Sequence, residues 1–328
     1  MQTPLLFAAA IVAGALASAA GICATPEKTP QGYPTEPIRL IVPFPPGGGT
    51  DMLARVIATP VSVVLGESIV VDNRPGAGGA IAAELAARSD PDGYTLILVS
   101  GSYTATSAFR TPPYDPVRDI QPISLLGTTG LVMTVNPVVP AKSVQELIDY
   151  AKANPGKLNY ASVGPGSVVH LSMELFKQLA DVNLVHVPYK GAGPAFNALV
   201  AGETQVTIIS LVPTIPHVKA GRLRAIGVTT SQRSPLLPDT PAIGETLPGF
   251  EVNHWYGVWG PKGMPKPIVQ WWNREIAKVL HTDEMKKRLQ VEGLEPAGGP
   301  PEQLQKVISH DVAKWRDVIK AAHIGNEG

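Results

Sequence analysis

The chain has little of what usually announces a function. Of its 328 residues only Cys23 is a cysteine, so no intrachain disulfide can form and the core must hold the fold. Charged residues make up 16% and aromatic residues 6%, and 27 basic side chains balance 27 acidic ones. With no net positive charge there is no broad basic face, which argues against nucleic acid as a partner. Beyond the N-terminal run, no apolar stretch is long enough to span a bilayer. The phosphate loop Gly-x-x-x-x-Gly-Lys-Ser/Thr is missing, and so is Gly-x-Gly-x-x-Gly behind the first strand. There is no Gly-x-Ser-x-Gly elbow and no His-Glu-x-x-His pair. The histidines (His170, His186, His217, His254, His281, His310 and His323) do not pair at metal-ligand spacing. No cofactor and no metal are expected.

What is present is apolar content of 44% with 32 glycines and 33 prolines, the composition of a globular chain with many short loops. The length suits two domains rather than one core. Leu5 to Ala20 is apolar and small, and Ala17-Ser18-Ala19 offers a cleavage pattern, so residues 1–25 are expected to be a cleavable secretory signal that delivers the chain to the periplasm. Met1-Gln2-Thr3-Pro4 lacks the usual Lys or Arg. An uncleaved anchor is the alternative, as is lipid attachment at Cys23, where Ile22 fits poorly as the preceding residue.

From Ile38 onward, strand and helix patterns alternate. Strands are expected at 38–42, 68–72, 95–100, 130–135, 158–162, 184–187, 206–210, 223–229 and 252–259. Helices are expected at 51–65, 80–88, 143–154, 167–180, 194–201, 214–220, 267–281, 283–292 and 302–322, with Pro60 kinking or ending the first. Residues 231–250 read as loop. The alternation predicts an α/β protein with doubly wound parallel sheets.

Four glycine-rich turns follow predicted strands: Gly47-Gly48-Gly49-Thr50-Asp51, Arg74-Pro75-Gly76-Ala77-Gly78-Gly79, Gly164-Pro165-Gly166-Ser167 and Lys190-Gly191-Ala192-Gly193. Ligands of open α/β sheets bind at that strand edge. Glycines let backbone N–H groups approach an anion, and a helix N-terminus adds partial positive charge. Asp51 has the position of a helix cap, with Arg55 one turn later to pair with it. Trp255, Tyr256 and Trp259 share a strand, whose alternation can put one ring in a cleft. A Ser167–His170 pair one helical turn apart leaves a periplasmic hydrolase as an alternative function.

Taken in order, Tyr33-Pro34, Ile38-Arg39-Leu40-Ile41-Val42-Pro43-Phe44, Gly47 to Asp51, Asp72-Asn73-Arg74-Pro75-Gly76-Ala77-Gly78-Gly79, Tyr160-Ala161-Ser162, His170-Leu171 and His186-Val187-Pro188-Tyr189-Lys190-Gly191 closely resemble the substrate-binding proteins of tripartite tricarboxylate transporters, the Bug/TctC family. The resemblance runs from about Tyr33 to the C-terminus. It implies a two-lobed periplasmic binding fold (type II-like), each lobe a doubly wound sheet with flanking helices, joined by a hinge with two crossovers. Lobe 1 would take 33–125 plus 252–328 and lobe 2 would take 126–251, with the crossovers near 127–135 and 252–260. Carried over by position, the ligand-binding residues are Phe44, Gly48, Gly49, Thr50, Asp51, Ala77, Ser100 and Ser102 in lobe 1. In lobe 2 they are Ser162, Gly164, Ser167, His170, Tyr189 and Lys190.

The implied function is capture of a small organic carboxylate by hinge closure and its delivery to a two-subunit integral membrane permease, by a monomer that is not an enzyme. A sensor presenting ligand to a membrane signalling protein is the alternative on the same fold. Gln205 and Ile208-Ile209 depart from the family's polar pattern on a strand expected at the cleft. That departure points away from amino-acid ligands and toward aromatic or larger apolar acids.

Overall fold

The computed structural model describes residues 30, 32–291 and 293–324, so the expected signal segment and Cys23 lie outside the described residues. The strands are β1 (Ile38–Val42), β2 (Ile69–Asn73), β3 (Thr95–Ser100), β4 (Ile120–Val135), β5 (Asn159–Ser162), β6 (Val185–Pro188), β7 (Val206–Ser210), β8 (Arg224–Val228), β9 (Asn253–Pro261) and β10 (Glu295–Pro296). The helices are α1 (Gly49–Leu65), α2 (Ala80–Ala87), α3 (Ser102–Phe109), α4 (Val144–Ala153), α5 (Val168–Ala180), α6 (Ala192–Ala201), α7 (Leu211–Lys219), α8 (Ile243–Thr246), α9 (Lys266–Leu280), α10 (Asp283–Val291) and α11 (Pro301–Ala322). A 3-10 turn at Ala77–Gly79 leads into α2.

One curled sheet runs β2-β1-β3-β9-β4-β7-β5-β6, with β8 and β10 also paired to β4. The first lobe is built on β2, β1, β3 and β9, and the second on β7, β5, β6 and β8. Strand β4 serves both: Ile120 to Gly130 pair with β9, whereas Leu131 to Val135 pair with β7, and part of that stretch with β8. Chain direction corrects one expectation. The outer strands are parallel, as β1 is to β2 and β3 and as β5 is to β6 and β7. The strands through the hinge are antiparallel to their neighbours, so the sheet is mixed. A chain that crosses between lobes and returns must run back along the sheet, and alternation of elements alone does not reveal that reversal.

Both faces of the first half are covered, which explains the continuous apolar runs of β1 and β3. Ile38, Leu40 and Val42 pack with Leu53, Ile57 and Val61 of α1 and with Trp272 and Ile276 of α9. On the other face Ile41, Ile97 and Val99 meet Ala82 and Ala86 of α2, and Leu304, Ile308 and Val312 of α11. Each fully buried aliphatic side chain contributes about 1.5–3 kcal/mol. Helix α11 reaches beyond this lobe, because Trp315 and Val318 join Met133, Tyr160, Leu171 and Phe176 in the second lobe's core.

Three further details differ from the sequence reading. Pro60 lies inside α1, which continues to Leu65 and closes on Gly66 in the left-handed region. Helix α3 occupies a stretch to which the sequence reading assigned no element. Its sequence SYTATSAF is rich in Ser and Thr, poor intrinsic helix formers, and burial of six of its eight residues compensates. Short helix α8 interrupts the expected 231–250 loop.

Candidate functional site

In lobe 1, β1 ends on the glycine turn that opens α1. Asp51 is buried at the base of this turn and organises it. Its Oδ2 accepts from the Gly47 N–H at 3.0 Å, Arg55 pairs with it at 2.9 Å, and Asn73 Nδ2 donates to its Oδ1 at 3.0 Å. The same Asn73 amide donates to the Phe44 carbonyl, tying the β1 and β2 ends together. Burial acts to raise the Asp51 pKa, but the hydrogen bonds from Arg55, Gly47 and Asn73 outweigh it and hold the carboxyl below its ordinary range. With its oxygens engaged by Gly47, Arg55 and Asn73, Asp51 shapes the glycine turn. Phe44 is half-buried, and a Cβ on Gly79 would sit 3.9 Å from its ring tip. The ring therefore joins the first glycine turn to the second. Ala77 within that second turn is exposed and holds φ 49°, a left-handed conformation that a non-glycine residue adopts at a cost.

Tyr256 closes the floor of this region. It pairs in register with Ser100 at the end of β3, and a Cβ on Gly49 would lie only 2.8 Å from its hydroxyl. A larger residue at Gly49 must therefore displace the Tyr256 hydroxyl rather than merely fill the loop. The alternation expected on β9 is realised: Trp255 and Trp259 pack among Ile41, Ile97 and α11, while Tyr256 joins the other face. His254 shares the Tyr256 face and is buried. Burial pushes it down to about 4, and its Nδ1 has no hydrogen-bond partner among the described residues.

In lobe 2, Ser162, Gly164, Ser167 and His170 form a single turn between β5 and α5. Ser167 caps α5, accepting from the His170 N–H at 3.3 Å while its hydroxyl donates to the Gly164 carbonyl at 2.7 Å. His170 Nδ1 accepts from the Gly166 N–H at 3.1 Å, which leaves the ring proton on Nε2. The suspected Ser167–His170 catalytic pair is thus two separate backbone anchors. The side chains that do meet are Ser162 Oγ and His186 Nε2, 2.6 Å apart, with Ser162 fully buried. His186 stacks on His170 with ring centroids 4.0 Å apart and on Tyr160 at 4.9 Å. Burial first, then the neighbouring His186 and Lys177, brings His170 down to about 3. Burial also lowers His186 to about 4 against the opposing pull of Glu174. Both rings are neutral donor–acceptors near pH 7. Below them Glu174 accepts from the Tyr160 hydroxyl and pairs with Lys177 at 2.7 Å. Tyr189 is half-buried, and its N–H donates to Ser162 O at 3.0 Å, while Lys190 is exposed beyond it.

The lobes meet through α3. Ser102 Oγ lies 3.5 Å from the Val168 N–H, which brings the first turns of α3 and α5 together. Thr106 Oγ1 lies 3.1 Å from the Gly78 carbonyl and 3.3 Å from the Gly166 carbonyl, between one loop of each lobe. Gly166 has φ 76°, and a Cβ there would clash with Phe109 at 2.8 Å, so this contact too depends on glycine. A cavity of about 1160 Å³ opens between α2, α3 and α5, and Ala77 and His170 belong to its lining. Most other expected ligand residues lie outside that cavity, around the α1 and α5 loops. Gln205 and Ile208-Ile209, the departures from the family pattern, lie at and on β7. Gln205 is bonded to Asn159 N–H and Gly202 O, and both isoleucines are buried in the sheet. Sequence reasoning missed Thr106 and Arg110 because it did not recognise α3.

Two lobes hinged on shared strands, with helix N-termini facing across the gap, define a periplasmic binding protein. Residues 53–324 match the model of the tripartite tricarboxylate transporter family receptor, and the chain belongs to that family. It is 36% identical over 313 residues to protein BugT of Bordetella pertussis, covering 94% of this chain and 95% of BugT. Among solved structures it is similar to R. palustris Rpa4515 with adipate, at TM-score 0.83 and 39% identity, covering 89% of this chain and 99% of the other. It is likewise similar to MatC from Rhodopseudomonas palustris with bound malate, at TM-score 0.81 and 32% identity over 88% and 100% of the two chains.

Proposed function

We propose that this protein captures a small organic carboxylate in the periplasm by closing its lobes and delivers it to a two-subunit membrane permease. The observation that carries this reading is the meeting of helix N-termini. The first turns of α3 and α5 approach across the gap, and α1 opens beside them on a glycine loop. Buried hydroxyls of Thr50, Ser100, Ser102, Ser162 and Ser167 line the same region. Backbone amides, hydroxyls and neutral imidazoles suit a carboxylate, because the dipoles favour the anion without an ion pair that must later be broken for release. Adipate and malate in the related proteins are carboxylates of this kind.

A ligand touching both lobes favours the closed state by its differential affinity. We assign 33–125 plus 252–328 to lobe 1 and 126–251 to lobe 2. Residues 1–25 act as the cleaved export signal, and the receptor works as a monomer that returns its ligand unchanged. The test is a thermal-shift panel of citrate, succinate, adipate, benzoate and terephthalate, followed by analysis of what the denatured protein releases. A rise in Tm for one carboxylate, or its release from the purified chain, supports the reading, since a ligand binding only the folded state stabilises it by mass action. No shift and no released acid would count against it.

A further inference from the structure

We infer that Thr106 is a positioning residue that latches the two lobes in the closed arrangement, and that the latch holds whether or not a ligand fills the cleft. The inference rests on the hinge-closure reading above, not on the chemistry of the ligand.

The first argument is where the hydroxyl stands. Thr106 is buried on α3, and its Oγ1 lies 3.1 Å from the Gly78 carbonyl and 3.3 Å from the Gly166 carbonyl. A threonine hydroxyl has one proton to donate, so the two acceptors share it. On the lobe division assigned above, Gly78 and Thr106 lie in lobe 1 and Gly166 lies in lobe 2. Opening would therefore keep the first bond and break the second. Helix α3 is tied to lobe 1 by Tyr103, whose hydroxyl donates to the Pro116 carbonyl at 2.7 Å and whose ring lies 5.3 Å from that of Trp259 on β9. Thr106 is carried by one lobe and reaches across to the other.

The second argument is closeness of fit. A Cβ on Gly78 would sit 3.0 Å from Thr106 Oγ1 and 3.5 Å from the Pro165 carbonyl oxygen. The second glycine turn is thus pressed between α3 and the facing turn of lobe 2. Ala105 and Phe109 add apolar burial to the same contact. All these groups belong to the protein, so the contact does not need a ligand to form.

The third argument is asymmetry between the two arrangements. With the lobes closed, Gly166 is buried and its carbonyl takes its donor from Thr106. With the lobes apart, water supplies the donor. Removing the hydroxyl therefore penalises the closed arrangement selectively, because a buried acceptor loses its partner there alone.

Distance measurement by double electron–electron resonance tests this without any acid present. Spin labels go on Lys152→Cys of α4 and Lys287→Cys of α10, both exposed and in different lobes, in a Cys23→Ser chain. The chain with Thr106 intact is expected to populate the separation that this structure gives. Thr106→Val keeps the volume and branching of the side chain, and should lower the closed-to-open ratio about 10-fold, the worth of one buried acceptor left unpaired. Thr106→Ser keeps the hydroxyl and should restore most of the closed population. Thr104→Val is the control: Thr104 Oγ1 donates to the Gly101 carbonyl at 2.9 Å, so the variant removes an equally buried hydroxyl from the same helix within lobe 1. It should leave the distribution unchanged. The latch is overturned if the closed separation is absent from the chain with Thr106 intact, if Thr106→Val leaves the distribution as it was, or if Thr104→Val shifts it as far. A panel of acids in which none binds would count against the carboxylate reading and leave this result standing.

Discussion

The two halves of the cleft solve the same problem with different chemistry. In lobe 1 the glycine loop is fixed by charge, with Asp51 held by Gly47, Asn73 and the half-exposed Arg55. In lobe 2 the facing turn is fixed by burial, with Ser167 and His170 bonded to backbone and the rings of His170, His186 and Tyr160 stacked behind. In the first arrangement only the Arg55 side is screened by water. The second is dry, so any group left without its partner carries its full desolvation cost. On the proposed hinge closure, the dry turn of lobe 2 would be the less adjustable of the two.

The largest effect is expected from breaking the buried jaw. Glu174→Ala leaves the Tyr160 hydroxyl without its acceptor and Lys177 without its partner, and should destabilise the protein by about 3 kcal/mol in denaturant titration. Next comes Gly49→Val. Its Cβ displaces Tyr256, at a packing cost of about 1–3 kcal/mol that should appear mainly as weaker carboxylate binding by calorimetry. Adding Tyr256→Phe, which removes the atom nearest the new Cβ, should restore part of the loss. If Gly49→Val binds normally, the lobe 1 loop is not in the cleft.

Acid separates the two jaws without mutation. His170, His186 and His254 are all lowered in the folded protein, to about 3, 4 and 4. The unfolded chain therefore takes up their protons first. Their contribution to stability is full above pH 6.5 and is lost as pH falls from there toward 4. Asp51 is lowered as well, so what it contributes is kept above its unfolded value near 3.8 and lost only as pH falls below it, through the folded pKa. Denaturation midpoints should therefore drop between pH 7 and pH 4.5, and His186→Gln should flatten the slope while Asp51→Asn should not. The smallest effect belongs to Arg55→Ala. Its guanidinium is 54% exposed, and Asn73 and Gly47 keep Asp51 hydrogen-bonded without it, so the loss in denaturant titration should be the smallest of the set and should shrink further in salt.

Most of the fold was legible because its signals are local. The apolar run of β1, the Ser143 cap that accepts from the Glu146 N–H, and the α11 stripe each declare themselves within a few residues. The glycine turns were legible for the same reason. Helix α3 was not, since a Ser/Thr-rich segment becomes helical through burial that only the folded chain provides. With α3 unseen, neither Thr106 at the lobe contact nor Arg110 in the cavity had a position. The partner of His186 was hidden too, because Ser162 lies on a neighbouring strand and 24 residues away. Spacing pointed to Ser167 and His170 instead, which share a turn but answer to the backbone. The antiparallel course of β4 and β9 is likewise a long-range fact, set by how the chain returns through the hinge.

The central claim is that a carboxylate engages both jaws at once. Hydrogen exchange of the protein with and without a bound acid tests it most directly. The account predicts slowed exchange in two separate stretches, 47–52 at the start of α1 and 164–172 at the start of α5. Protection confined to one of them, or appearing in neither while calorimetry shows tight binding, would contradict it.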